Sequence, residues 1–133
     1  MKAIDLLKEF VAKHKEGGGK RCINEWLVGD DMEVYVRRSV YRHIGGDRLV
    51  CLDIANIEVA EKGQGHFTEF LREAHAINPW GATYVESVLE ERLHDFLTKE
   101  GFVVQPLSLP VSYYKLTGAY NESNQCNQAL QDF

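Results

Sequence analysis

The segment Lys62-Gly63-Gln64-Gly65-His66-Phe67-Thr68 constrains the fold more than any other, because of what stands on either side of it. Before it, Leu49 to Val59 is an apolar run holding Cys51, Leu52, Ile54, Ile57 and Val59 with no proline, the pattern of a buried strand. After it, Phe67, Phe70, Leu71 and Ala74 recur at three and four residues, as on one face of a helix. Two glycines therefore stand where a strand becomes a helix. The first N–H groups of that helix have no partner within it and lie at the positive end of its dipole, so the junction suits a phosphate or pyrophosphate. A lone G-x-G pair is equally a helix entry in which glycine tolerates positive φ. The Walker pattern is absent, and the dinucleotide fingerprint lacks its third glycine.

The rest of the chain reads as one domain over residues 1–120. Ala3 to His14 is a predicted helix with Ile4, Leu7, Phe10 and Val11 on one stripe, ended by Gly17-Gly18-Gly19. Arg21 to Val28 and Met32 to Tyr41 read as strands, and Gly45-Gly46-Asp47 as a hairpin turn into the long apolar strand. Asn78-Pro79-Trp80-Gly81 separates the first motif helix from a strand at Thr83 to Val88. Leu89 to Lys99 is a helix with Leu89, Leu93, Phe96 and Leu97 on its core face. Val103 to Leu107 and Val111 to Leu116 form a closing strand pair. Residues 121–133 are a tail rich in Asn and Gln without periodicity, the composition of a disordered or frayed segment.

Glycine loop, strand, helix and Gly101-Phe102, in that order and spacing from Arg48 to Phe102, resemble the GNAT superfamily of N-acetyltransferases. The resemblance implies an α/β (α+β) fold: a mixed, mostly antiparallel sheet of six to seven strands with helices on both faces. It implies acetyl-CoA as co-substrate, its pyrophosphate held by Lys62, Gly63, Gln64, Gly65, His66, Phe67 and Thr68, chiefly through backbone amides. The backbone around Ile57 and Val59 would support the pantetheine and acetyl groups. Phe67 stands where the family has a small residue. The implied function is transfer of an acetyl group to an amine by direct attack on the thioester; the alternative is a catalytically inactive CoA-binding or protein-interaction module of the same fold.

Such a transfer needs a base for the amine and a proton for the leaving thiolate. Asp53 and Glu58 are the candidate bases. In regular pleating they face opposite sides of the sheet, and the bulge that the family carries in this strand removes parity as a guide. The family's thiolate acid is a tyrosine four residues before the Gly of Gly-Phe. That position is Leu97, so the proton must come from water or from Tyr84, Tyr113 or Tyr114. Trp26, Trp80, and Tyr35 with Arg37, are candidates for the acceptor wall.

A net charge of -5 over 133 residues argues against a general nucleic-acid binder. Cys22, Cys51 and Cys126 are odd in number and far apart, giving no disulfide framework, and no cysteine or histidine spacing suggests a metal site. No signal segment or membrane span is evident. The expectation is a cytoplasmic protein whose partners are a small-molecule or protein amine acceptor and, at most, a second copy in a homodimer, with neither nucleic acid nor membrane.

Overall fold

A computed structural model describes residues 1–15, 21–59, 63–88 and 90–119. The elements run α1 (Ala3–His14), β1 (Ile23–Val28), β2 (Met32–Ile44), β3 (Asp47–Val59), α2 (His66–Ile77), β4 (Ala82–Val85), α3 (Glu91–Lys99), β5 (Val103–Val104) and β6 (Tyr113–Leu116). The strands form one six-stranded open sheet in the order β1-β2-β3-β4-β6-β5. All neighbours are antiparallel except β3 and β4, which are parallel because α2 carries the chain back between them. The fold is a mixed α+β fold with a mostly antiparallel sheet, as the sequence indicates. The expected 121–133 tail lies outside the described residues.

Three glycines here have a direct steric or torsional cause. Gly45 and Gly46 both take positive φ (61° and 89°), as a two-residue hairpin turn between right-twisted strands requires. Gly29, in the turn from β1 to β2, lies so close to the start of α1 that a Cβ there would meet the Ala3 nitrogen at 2.3 Å. Asp31 Oδ1 accepts a hydrogen bond from the Ala3 N–H at 2.9 Å, pinning the first turn of α1 against that turn.

The apolar stripes of the three helices gather in one cluster. Leu7, Phe10 and Val11 of α1, Phe70, Leu71 and Ala74 of α2, and Leu97 of α3 bury against Val34, Val36, Leu52, Ile54, Val85 and Tyr113 of the sheet. Burying each large side chain of this kind stabilises the fold by about 1.5–3 kcal/mol. The opposite face carries a smaller cluster made only of strand residues, Ile44, Cys51, Ala82 and Tyr84, flanked by Leu49, Tyr114 and Leu116. Helices on both faces are what the family resemblance implies; among the described residues all three helices bury their apolar stripes on one face. The physical reason lies in the residues of the other face, which between its apolar ends presents Arg37, Ser39, Arg42 and Asp53 and so offers a helix little to bury.

Several strands are shorter than their sequence patterns. The chain leaves the sheet after Val85 rather than Val88, and Ser87 takes a positive φ of 53° at that departure. β5 is only two residues long, since Pro106 and the exposed Leu107 and Leu109 follow it.

Candidate functional site

Two β-bulges decide which side chains share a face. Opposite Val50, β2 inserts one extra residue: Ser39 pairs with Cys51 and Arg42 with Leu49. Opposite the Tyr35–Val36 step, β3 inserts Ala55: Val36 pairs with Ile54 and Tyr35 with Asn56. The first bulge brings Arg42 to the same side as Arg37 and Ser39. The second brings Glu58 to the same side as Asp53. Each is a case of one extra residue re-aiming the side chains beyond it.

On that helix-free face Asp53 is fully buried and ringed by donors. Its Oδ1 accepts from Ser39 Oγ at 2.8 Å and Arg42 Nε at 3.1 Å; its Oδ2 accepts from Arg37 Nη1 at 3.2 Å and Arg42 Nη2 at 3.0 Å. A carboxylate has about four acceptor positions, and all four are taken. Both arginines also reach Glu86 Oε1, Arg37 at 2.7 Å and Arg42 by a short contact. Arg42 lies over the Tyr84 ring, its guanidinium carbon 3.7 Å from the centroid. Burial pushes the Asp53 carboxyl above the usual range, an effect that Arg42 and Ser39 oppose and Glu86 reinforces. Burial works against the charge of Arg37, yet Glu86, Tyr41 and Asp53 hold its pKa above the ordinary value. Cys51 beside them is pushed up to about 12, chiefly by burial and then by Asp53, so it is no nucleophile near neutrality.

Glu58 stands apart from this network. It is exposed and faces Glu33 directly across β2 and β3, and its carboxylate accepts no hydrogen bond from the described residues. Like charges in register cost a sheet stability.

Next to these carboxylates the sheet opens. β3 pairs with β4 only from Cys51 to Ile54, and the Glu86 N–H to Ile54 C=O bond at 3.0 Å is the last between them. Among the described residues β3 is paired with β2 alone from Asn56 to Val59, so there the backbone around Ile57 and Val59 has no strand on its other side. Beyond Val59 the chain leads to the glycine loop. Gly63 and Gly65 take positive φ (83° and 73°), Gly65 is the N-cap of α2, and among the described residues no side chain caps that end. A Cβ on Gly65 would meet nothing nearer than Thr68 Oγ1 at 3.6 Å, so torsion rather than crowding demands glycine. Thr68 Oγ1 donates to the Gly65 carbonyl at 2.8 Å. Gly63, Gln64 and Gly65 are exposed, and His66, Phe67 and Thr68 are half-buried. Lys62 lies outside the described residues.

Leu97 is wholly buried in the core. Of the tyrosines, Tyr84 lies under Arg42 and Tyr114 beside the small apolar cluster, whereas Tyr113 faces the helices. Trp26 and Tyr35 meet at a tilt of 55° with centroids 5.0 Å apart at the β1 side of the helix-free face, while Trp80 lies on the other face under Arg38. The arrangement thus joins Asp53 with Arg37, sets Glu58 on the same face but apart from them, and leaves Trp80 elsewhere. Sequence reasoning missed Ser39, Arg42 and Glu86. A regular strand puts Arg42 on the opposite side from Arg37, and no residue between them announces the bulge.

No family model and no curated protein matches the chain. A solved structure described as "The crystal structure of KacTA-DNA complex" matches at 15% identity with a TM-score of 0.46, covering 91% of this chain and 85% of that one. The expected partners are corrected on this finding: that structure is a complex with DNA, so the exclusion of nucleic acid does not stand. Net charge was its ground, and a charge summed over a whole chain does not measure any single face. Among the described residues no helix is long and apolar enough to cross a membrane.

Proposed function

We propose that the chain is an acetyl-CoA-dependent N-acetyltransferase of the GNAT type. The observation that carries this reading is the parting of two parallel strands beside an uncapped helix N-terminus. The free edge of β3 around Ile57 and Val59 suits the amide groups of a pantetheine arm. The amides of the α2 first turn, His66 to Thr68, suit its pyrophosphate. The six-stranded, mostly antiparallel sheet is compatible with the mixed sheet of six to seven strands that the family resemblance implies.

In this reading acetyl-CoA supplies the thioester, and the amine approaches from the helix-free face, where the carboxylates lie. Glu58 is the better base. Its carboxylate is exposed and unengaged, whereas every lone pair of Asp53 already receives a donor. Asp53 instead fixes Arg37 and Arg42, and through them Glu86, at the apex of the opening. One observation favours a second reading, a CoA-binding module without turnover: Leu97 brings no proton to the place where the family keeps its acid.

Native mass spectrometry with acetyl-CoA, followed by assay of thiol release across a panel of amines, tests both. The expected result is a 1:1 complex and turnover with at least one amine. In Gly65→Val a β-branched residue is forced to positive φ and shields the helix amides, so the complex should be lost. Unchanged affinity in a folded Gly65→Val protein overturns the cofactor assignment. Binding without turnover selects the second reading.

A further inference from the structure

Helix α3 ends in a Schellman turn: Gly101 N–H donates to Thr98 C=O at 3.1 Å and Phe102 N–H to Leu97 C=O at 2.9 Å. The turn sets Glu100 and Phe102 beside α2 and β6, and a pocket of about 80 Å³ lies between the three elements. Leu71 and Phe102 form its apolar part; Arg72, His75, Glu100 and Lys115 supply its polar groups. That volume holds a few waters or one small oxyanion. Arg72 and His75 stand well beyond Gly65 on α2, about 10–15 Å along the helix axis, so the pocket is separate from the glycine loop.

The polar groups of this pocket do not match one another. Arg72 donates from Nε and Nη2 to one oxygen of Glu100, at 3.0 and 2.7 Å, so those two charges cancel. Lys115 reaches in from β6 with its Nζ 5.9 Å from the Phe102 ring centroid, and has no carboxylate at ion-pair distance among the described residues. His75 approaches the same ring, centroids 6.0 Å apart. Asn78 donates to Thr83 Oγ1, so the Thr83 hydroxyl donates to His75 Nδ1 and the ring proton sits on Nε2. That Nε2–H has no acceptor among the described residues. Burial first, and then the Lys115 charge, hold the His75 pKa below its ordinary value, which puts the ammonium within electrostatic reach of the ring. Two donors and one uncancelled positive charge therefore line a small pocket whose only carboxylate is held by Arg72. We propose that the pocket binds a small oxyanion such as inorganic phosphate, held by Lys115 Nζ, His75 Nε2–H and the Arg72 Nη1 that Glu100 leaves free. Charge-assisted hydrogen bonds of this kind are the strong ones, and here they tie α2 to β6 beside the end of α3. The site does not depend on the acetyltransferase reading.

The test titrates inorganic phosphate into the full chain, at an ionic strength held constant with chloride, and follows the imidazole NMR resonances. Those of His75 should move along a saturable 1:1 curve with a Kd on the order of 1 mM, as two or three charge-assisted hydrogen bonds in a partly open site provide. The titration midpoint of His75 should rise when phosphate is bound, because the anion offsets Lys115. His66, in the first turn of α2, reports separately on the glycine loop. Lys115→Met keeps most of the stem and removes the charge, and should weaken binding about tenfold or more. Arg72→Gln should weaken it as much, since Glu100 is then released to pair with Lys115. A linear drift that chloride reproduces overturns the proposal, and so does a saturable curve at His66 with none at His75. Unchanged affinity in Lys115→Met overturns it as well. The Arg72 side chain is 60% exposed, so Arg72→Gln should fold even where Lys115→Met does not, and unchanged affinity there is equally fatal.

Discussion

Along β3, Cys51 to Ile54 and Asn56 to Val59 are the same strand held in two ways. The first stretch has a neighbour on each side, β2 and β4, and its odd residues are fully buried. The second has β2 alone and alternates between half-buried and exposed. A carboxylate in the first stretch must be neutralised where it stands, and Asp53 is, by two arginines and a serine. A carboxylate in the second keeps its contact with water, and Glu58 has no donor among the described residues. The bulge at Ala55 sets both on one face, so the contrast is of environment and not of direction. Two acids five residues apart are thus fitted for opposite tasks: one holds structure, the other is free to take a proton.

The largest expected effect breaks or upholds the structural half of that contrast. Asp53→Asn keeps the size of the side chain but sets an amide NH₂ among guanidinium donors and leaves two arginines to share Glu86. Removing one partner from a buried ion pair costs about 3–5 kcal/mol. Urea unfolding should show a loss of that order, while the folded fraction retains turnover with an amine acceptor. If stability holds and turnover collapses, Asp53 is the base and the contrast is inverted.

The second effect tests the other half. Glu58→Gln removes a charge that faces Glu33 and is hydrogen-bonded to nothing described. Stability should stay within about 0.5 kcal/mol, as for surface substitutions in general. Turnover should fall by about a hundredfold, the lower range for loss of a general base. An unprotonated acceptor supplied at high pH should recover part of it. Equal turnover in wild type and variant sends the base role back to solvent and leaves catalysis to positioning.

The two halves of β3 also mark how far the sequence could be read. The strand, the glycine loop and α2 are legible because periodicity and glycine placement are local signals, and α1 has the bounds its apolar stripe indicates. The bulges are not legible. Each is one residue of slack in a pairing register, decided by the twist of three strands together rather than by Val40, Tyr41 or Ala55 alone. Arg42 and Glu86 were therefore hidden, and the facing of Asp53 and Glu58 stayed open until the register was seen. The shortening of β4 likewise follows from Ser87 turning the chain off the sheet, in a conformation that the apolar run Tyr84 to Val88 does not suggest.

The smallest effect sharpens the comparison on the covered side of the same sheet, where β4 meets α2. Thr83 is fully buried; its hydroxyl oxygen receives the Asn78 amide at 2.8 Å and lies 2.9 Å from His75 Nδ1. With Asn78 donating to that oxygen, the hydroxyl proton is directed at His75 Nδ1, which accepts it in the neutral ring. Protonation turns Nδ1 into a donor and sets two donors against each other. Burial, and secondly the charge of Lys115, accordingly hold His75 below its ordinary value of 6.5. A histidine depressed in the folded state lends stability that is present above the unfolded pKa and is lost as pH falls through the folded one. Stability should therefore be steady above about pH 6.5 and decline on the acid side, before the carboxylates titrate. In His75→Gln, whose amide oxygen can accept from Thr83, the histidine part of that decline should vanish, at a cost near neutrality of about 1 kcal/mol or less. Unfolding curves between pH 5 and 7 read the difference, and an identical decline in both proteins places the titrating group elsewhere.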